Sequence, residues 1–407
     1  MKKPEILAPA GDYEKLRYAV AYGADAVYMS GKAYGMRTAS GNFDPSELRL
    51  AIEHCHKNGV RCFITVNVMP RNNEIDQLPE YIEMLGDIGA DAVIVADIGV
   101  IPLVKKYAPN VKLHISTQAS VVNYSSASMF YNMGADRIVL ARELSLEDIA
   151  EIRLRTPKKL EIETFVHGAM CISYSGRCLL SNFMAGRDAN HGNCAQPCRW
   201  SYSLMEEQRP GEYYPVYEDE RGTYIFNSKD MCLIDHIPEL AAAGIDSFKI
   251  EGRVKSSYYA AVITGAYRRA LDLYIKDGDS YKLPEAIRDE VFKVSHRNYY
   301  TGFYFGEGKS EYYEESAYIR NWDVCAMVSG VCESGLVKAV QKNKCSLGES
   351  VQLLSPGKDP VDFVITEMYD RDMNPIESAP HAHMELYMRA PEGAGDMSII
   401  RKKKTSL

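Results

Sequence analysis

No run of apolar residues in this chain approaches the length needed to cross a bilayer. The first residues, MKKPEILAPAGDYEKL, open with basic charge but have neither the apolar core nor the small-residue cleavage site of a secretion signal. A cytoplasmic protein is expected, and in that reducing compartment the ten cysteines should be thiols or metal ligands, not disulfides. Positive charge is also scarce. A net charge of -8 disfavours a generally basic nucleic-acid surface and leaves only local patches. Those are Arg177, Arg187 and Arg199, together with the tail Arg401, Lys402, Lys403 and Lys404, which reads more simply as a solvated, frayed end. Several catalytic signatures are missing too. None of the nine histidines forms the His-x-x-x-His pair of a zinc protease, and there is no Gly-x-Ser-x-Gly elbow for a serine nucleophile. A cysteine nucleophile with a distant histidine stays open.

What is present centres on residues 161–200, which hold Cys171, Cys178, Cys194 and Cys198, separated by six, fifteen and three residues. Glycines and polar residues around them break any amphipathic period, so the stretch reads as a ligand loop. Four thiolates on irregular backbone satisfy a four-iron cluster or tetrahedral zinc. Neither close pair has the C-x2-C spacing common in zinc sites, which favours the [4Fe-4S] cluster and keeps zinc as the alternative. A buried, unligated thiol is the simpler reading for Cys55, Cys62, Cys325, Cys332 and Cys345, which are scattered.

A second pattern sets the fold. GADAVYMS at 23–30, GADAVIVAD at 89–97, GADRIVLAR at 134–142 and GIDSFKIEGR at 244–253 share a helix-ending glycine, a small or apolar residue, an aspartate and an apolar strand. Adding the other apolar runs predicts eight strands, at 5–10, 24–30, 61–68, 91–97, 112–120, 137–142, 159–168 and 246–253, alternating with helices. That is an α/β chain, a (β/α)8 TIM-type barrel over residues 1–305, with the cysteine loop 165–200 inserted after strand 7. The alternative is an open doubly wound sheet, against which no Gly-x-Gly-x-x-Gly follows the first strand. A long helix at 256–276 and a charged one near 284–293 close the barrel. After a connector at 306–320, short alternating runs over 321–407 predict a small antiparallel β-barrel domain, a type of module that can contact RNA.

In a barrel, polar residues at the C-terminal ends of strands face the active-site mouth. Here they are Asn67, Asp97, Gln118, Arg142, Glu163, His167, Lys249, Glu251 and Arg253. Each alone could be a rim ion pair or a cap. Lys249, Glu251 and Arg253 alternate along one strand and share a face, where three charges are expensive unless they meet a ligand or each other.

The stretch FVHGAMCISYSGRCLLSNFMAGRDANHGNCAQPCRW resembles the signature of the collagenase-like family of unassigned peptidases (U32). LAPAGD, GADAVY, NSKD at 227–230 and SFKIEGRVKS at 247–256 are similar to the same family's pattern, so the likeness runs from residue 1 to about 305. It implies a barrel with a small C-terminal β domain. It also implies one of two activities: proteolysis, or cluster-dependent hydroxylation. The most similar branch is that of 5-hydroxylation of the tRNA wobble uridine, with prephenate as hydroxyl source. By this resemblance Cys171, Cys178, Cys194 and Cys198 are the cluster ligands, and Cys232 is the reserve should Cys198 lie too far away. Lys249, Glu251, Arg253, Arg142, Glu163 and His167 then become the catalytic candidates, and tRNA and a small dicarboxylate the partners. Ribosomal RNA as substrate, and a metal-bound assembly partner without catalysis, remain as further alternatives.

Overall fold

The computed structural model describes residues 3–36, 41–170, 180–187, 193–197, 229–306, 318–332 and 335–404, with short pieces between 204 and 224. Strands β1 (Glu5–Pro9), β2 (Ala26–Met29), β3 (Arg61–Val66), β4 (Ala92–Val95), β5 (Lys112–Ile115), β6 (Arg137–Val139) and β7 (Glu161–Ala169) lie side by side and parallel. Two later strands follow, β8 (Asp230–Cys232) and β9 (Ser247–Ile250). Strand β9 pairs in parallel with both β7 and β1, which closes an eight-stranded barrel, while β8 adds antiparallel to the outer end of β7. The eight expected strands are all present. The fifth is shorter than its apolar run, because Ser116 leaves the sheet to cap a 3-10 turn at Thr117–Ala119.

The repeated glycine-aspartate junction has a physical job. Gly23, Gly89, Gly134 and Gly244 end helices at φ between 77° and 96°, where a side chain would be strained. The aspartates two residues on then accept the backbone N–H at the start of a neighbouring strand. Asp25 takes Ile6 N at 2.8 Å, Asp91 takes Cys62 N at 2.7 Å, Asp136 takes Leu113 N at 2.9 Å and Asp246 takes Ile162 N at 2.9 Å. Each junction thereby satisfies a donor that the parallel ladder leaves unpaired and fixes strand register at the bottom of the barrel.

The helices form the outer ring. They are α1 (Tyr13–Ala21), α2 (Pro45–Lys57), α3 (Leu78–Asp87), α4 (Val100–Tyr107), α5 (Tyr124–Asn132), α6 (Leu146–Arg155), α7 (Ile237–Ala242) and α8 (Ser257–Asp277). Capping is regular: Asp12, Asp44, Asn123, Ser145 and Ser256 each accept a first-turn N–H. None of the described helices is long and apolar enough to cross a membrane. Between α8 and the sheet, His167 is enclosed by Tyr259, Tyr267 and Tyr299, with ring centroids 5.2 to 6.0 Å away.

The barrel interior is divided. Leu7, Ala26, Tyr28, Phe63, Ala92 and Ile94 make an apolar cluster on one side. On the other, buried Arg137 donates to Glu5 at 2.7 Å, to Glu163 at 2.8 Å and to Glu161 at 2.7 Å. Glu5 is also paired with Arg61 and accepts from Ser247 at 2.8 Å, and Glu163 accepts from Lys249 at 2.7 Å. A column of alternating charge thus rises from the barrel floor to its mouth.

The main sheet of the C-terminal segment is antiparallel with seven strands, half of a barrel, and a separate two-stranded pair joins Cys345–Ser346 to Ser378–Ala379. In chain order the strands are β10 (Trp322–Val331), β11 (Leu336–Gln341), β12 (Ser350–Leu354), β13 (Val361–Val364), β14 (Met368–Asp370), β15 (Glu385–Arg389) and β16 (Ile399–Lys403), arranged β13-β12-β16-β10-β11-β15-β14. It packs on the barrel wall through α1 and α8. The Tyr22 hydroxyl lies 3.1 Å from the carbonyls of both Leu354 and Met397, and Arg401 reaches Glu290 at 2.7 Å and Tyr258 at 3.2 Å. The expected frayed basic tail is therefore corrected. Arg401 is fully buried inside the sheet-barrel seam, Lys402 pairs with Glu349 and Lys404 with Asp323.

Two outcomes follow for stability. Replacing Arg137 by Met leaves Glu5 and Glu163 buried without their shared cation and should destabilise by about 3 to 5 kcal/mol in urea unfolding. Burial lowers the His167 imidazole from 6.5 to about 3. The unfolded chain then binds a proton that the folded chain refuses, so this contribution is complete above the unfolded value and shrinks as the pH falls towards the folded one. Between pH 7 and 5 the wild type should lose about 2 kcal/mol from this group. His167→Gln should flatten that part of the slope and leave the parts due to His114 and His296, which burial also lowers.

Candidate functional site

The column ends in a pocket at the C-terminal mouth of the barrel that encloses about 510 Å³, counting the part open to solvent. Its wall includes Asn67, Gln118, Arg142, Lys249, Glu251 and Arg253, six of the residues expected at the strand ends. Tyr28, Met36, Thr65, Ile94, Ser116, Thr117 and Phe165 complete it. Several of these could have been found by extending the two-residue strand period one step upward, because Tyr28 follows inward Ala26, Thr65 follows Phe63, and Phe165 follows Glu163. Met36 carries no such signal, since it comes from an irregular loop.

Three cations dominate the wall. Arg142 donates to the Ala169 carbonyl at 2.7 Å and to Glu251 at 3.1 Å, and its guanidinium lies 3.7 Å from the centre of the Phe165 ring. Arg253 donates to the Thr65 hydroxyl at 3.2 Å. The Lys249 ammonium bonds Glu163 and sits 4.5 Å from the centre of the Tyr28 ring. Burial pushes Lys249 below its ordinary value, and the Glu163 carboxylate opposes that shift. Burial would raise Glu163, but Lys249 and Arg137 override it and hold the carboxyl below the usual range. The pair is thus an ionised floor, over which Arg142 and Arg253 present guanidinium groups at the height of the opening. Such an arrangement takes small anions through charge-assisted hydrogen bonds.

Three expected members stand elsewhere. Glu163 is fully buried one layer beneath the pocket, where it serves the ion column. Asp97 turns away to accept the Gly99 N–H at 2.7 Å at the start of α4. His167 sits outside the barrel wall, because β7 continues past the barrel to pair with β8 and the β7–β9 register shifts at Lys249/Ile250. Its Nδ1 and Nε2 face the Tyr267 and Tyr299 hydroxyls at 3.4 and 3.3 Å.

Of the cysteine loop, Cys171, Cys178, Cys198, Arg177 and Arg199 lie outside the described residues. The loop leaves the sheet beyond Met170 and returns before Asp230, so both of its ends are at the rim, beside the carbonyl that Arg142 holds. Cys194 is an exposed thiol whose sulfur accepts the Gln196 N–H at 3.3 Å, and Arg187 bonds Asn193 at 3.0 Å. An exposed thiol among polar neighbours fits a ligand. Cys232 fits less well: it lies against Tyr267, and burial pushes its thiol up to about 12.

Comparison with known proteins completes the picture. The model of Peptidase family U32 matches residues 11–314, and that of the Peptidase family U32 C-terminal domain matches residues 320–401. The chain is 36% identical over 406 residues to tRNA hydroxylation protein P1 of Bacillus subtilis, covering 99% of this chain and 96% of that one. It is 34% identical over 435 residues to tRNA hydroxylation protein P of Escherichia coli, covering 96% and 95%. Over 292 residues it is 36% identical to the 23S rRNA 5-hydroxycytidine C2501 synthase of Escherichia coli, covering 71% of this chain and 42% of that one. With both family models matched and relatives of this identity along almost its whole length, the chain belongs to peptidase family U32.

Proposed function

We propose that this protein is an RNA-modifying enzyme that places a hydroxyl on C5 of the wobble uridine of tRNA, with prephenate as the oxygen donor. The observation that carries this reading is the likeness, over 99% of the chain, to a protein named for tRNA hydroxylation. The pocket supports it. Prephenate is a dicarboxylate, and Arg142, Arg253 and Lys249 offer three cations on a wall whose one carboxylate, Glu251, is already held by Arg142. The anion would be drawn to Arg253 and Lys249, and its arrival would favour the charged form of the lysine against the burial that disfavours it. Phe165 and Tyr28 supply flat apolar faces for the ring.

Exchanging hydrogen for hydroxyl at the base is a two-electron oxidation, so the oxygen donor leaves two electrons richer. Cys171, Cys178, Cys194 and Cys198 would hold a [4Fe-4S] cluster, and zinc is the alternative. Bound there, with a thiolate on every iron, a cluster would supply one-electron transfer. The base must be unstacked to reach a pocket at a barrel mouth, and an anticodon loop presents it unpaired. The family name points to peptide cleavage, but among the described residues no histidine lies in the pocket to act as base for a thiol.

Nucleoside mass spectrometry of total tRNA from cells with and without the gene should show loss of one oxygen from a uridine, restored by the wild-type gene. Unchanged tRNA with an altered ribosomal RNA nucleoside would move the substrate to the ribosome. In the purified protein, Arg253→Met should lower turnover by about 100-fold while iron content stays at the wild-type level, because it removes a charge-assisted contact and no thiol. Loss of iron in that variant would assign Arg253 to structure. Cys194→Ser should do the reverse and lose iron together with activity.

A further inference from the structure

We infer that Gln118 is the residue that recognises the hydroxyl of the small acid in the pocket, and so makes the site selective for a hydroxyl-bearing dicarboxylate. This rests on the donor reading above and goes beyond it by naming the group that is read and the residue that reads it. Gln118 lines the pocket and is 7% exposed, yet its side-chain oxygen Oε1 is buried without a hydrogen-bond partner. A buried carbonyl oxygen left unpaired is unfavourable by about 1 to 3 kcal/mol, so it is kept where a ligand completes it.

The turn that carries Gln118 is held in place from below. Ser116 Oγ accepts the Gln118 N–H at 3.3 Å and lies 3.5 Å from the Asn67 amide, and Thr117 Oγ1 donates to the Leu140 carbonyl at 3.1 Å. The short 3-10 turn then stops at Ser120, whose backbone is left-handed at φ 53°. The backbone that carries the acceptor is thus pinned on both sides. It projects from the end of β5, which is separated from β9 by β6 and β7 on one side and by β1 to β4 on the other. Lys249 stands on β9, and Arg253, three residues past its end, reaches Thr65 of β3, so a small acid whose carboxylates meet these two cations spans the β9 and β3 sides and turns its remaining group towards Gln118 on the β5 side.

The chemistry of the far end follows from the wall. An acceptor needs a donor, and an ammonium would be repelled by three cations, which leaves a neutral O–H or N–H; in the small acid of the donor reading that group is the hydroxyl. Discrimination of this kind is steep, because an analogue without the hydroxyl leaves the carbonyl unpaired.

The test is binding to the purified full-length protein, measured by calorimetry with prephenate and with the analogue lacking its ring hydroxyl. The wild type should bind prephenate at least about 10-fold more tightly than the deoxy analogue. Gln118→Leu, which removes an unpaired polar atom and keeps the volume, should lose that preference by weakening prephenate alone. Gln118→Glu keeps an acceptor, so it should retain the ratio even if added negative charge weakens both ligands. Equal binding of the two ligands by the wild type, or an unchanged ratio in Gln118→Leu, would overturn the role of Gln118 and leave the donor reading standing. Binding of neither ligand would overturn the donor reading and this inference with it.

Discussion

A single buried guanidinium organises the barrel. Arg137 is 1% exposed and meets three carboxylates from two strands, Glu5 of β1 and Glu161 and Glu163 of β7, the first of which is also tied to β3 through Arg61. Aliphatic layers can close a barrel by shape alone, but they tolerate more than one register. A cation that must satisfy three acceptors at once tolerates few. The arrangement also transmits charge upward: Glu163 is kept ionised from below by Arg137 and offers its other oxygen to Lys249 at the pocket floor. The acidic and basic groups of the mouth therefore rest on the same ions that hold the strands together.

How much of this was legible in the sequence depended on whether a residue's role was local. The eight strands were readable because each glycine-aspartate junction carries its own signal: a left-handed helix end followed by a carboxylate that takes a strand N–H. Six pocket residues were readable because the end of a barrel strand is a defined place. Asp97 was misplaced because β4 ends at Val95, two residues before it, and the chain has by then turned so that its carboxylate accepts the Gly99 N–H. His167 was misplaced because β7 runs on past the barrel to meet β8, a pairing between segments sixty residues apart that no local pattern encodes. Arg401 looked like a loose tail for the same reason. Its partners Glu290, Tyr258 and Gln352 come from two different parts of the chain.

The pocket and the cysteine loop share a boundary, which ties together two features that seem separate in sequence. Arg142 holds the carbonyl of Ala169, the last residue of β7, and at the same time holds Glu251, the first residue past β9. One side chain thus fixes both the root of the loop and the end of the strand that carries Lys249 and leads to Arg253. Gly168, between them, has φ of 114°, and a side chain there would strike the Glu251 backbone, so the strand and the root of the loop can approach this closely only through glycine.

The seam between barrel and half-barrel has a practical side. Met327, Leu354 and Ile399 belong to the same apolar core as the barrel helices, and Tyr22 and Arg401 cross it with their polar ends satisfied. An expression fragment ending near residue 320 would put Tyr22, Tyr258 and Glu290 at the edge of a wetted apolar scar, with Glu290 stripped of its arginine. The gene divides readily into two named segments, but the folded object has no clean place to be cut.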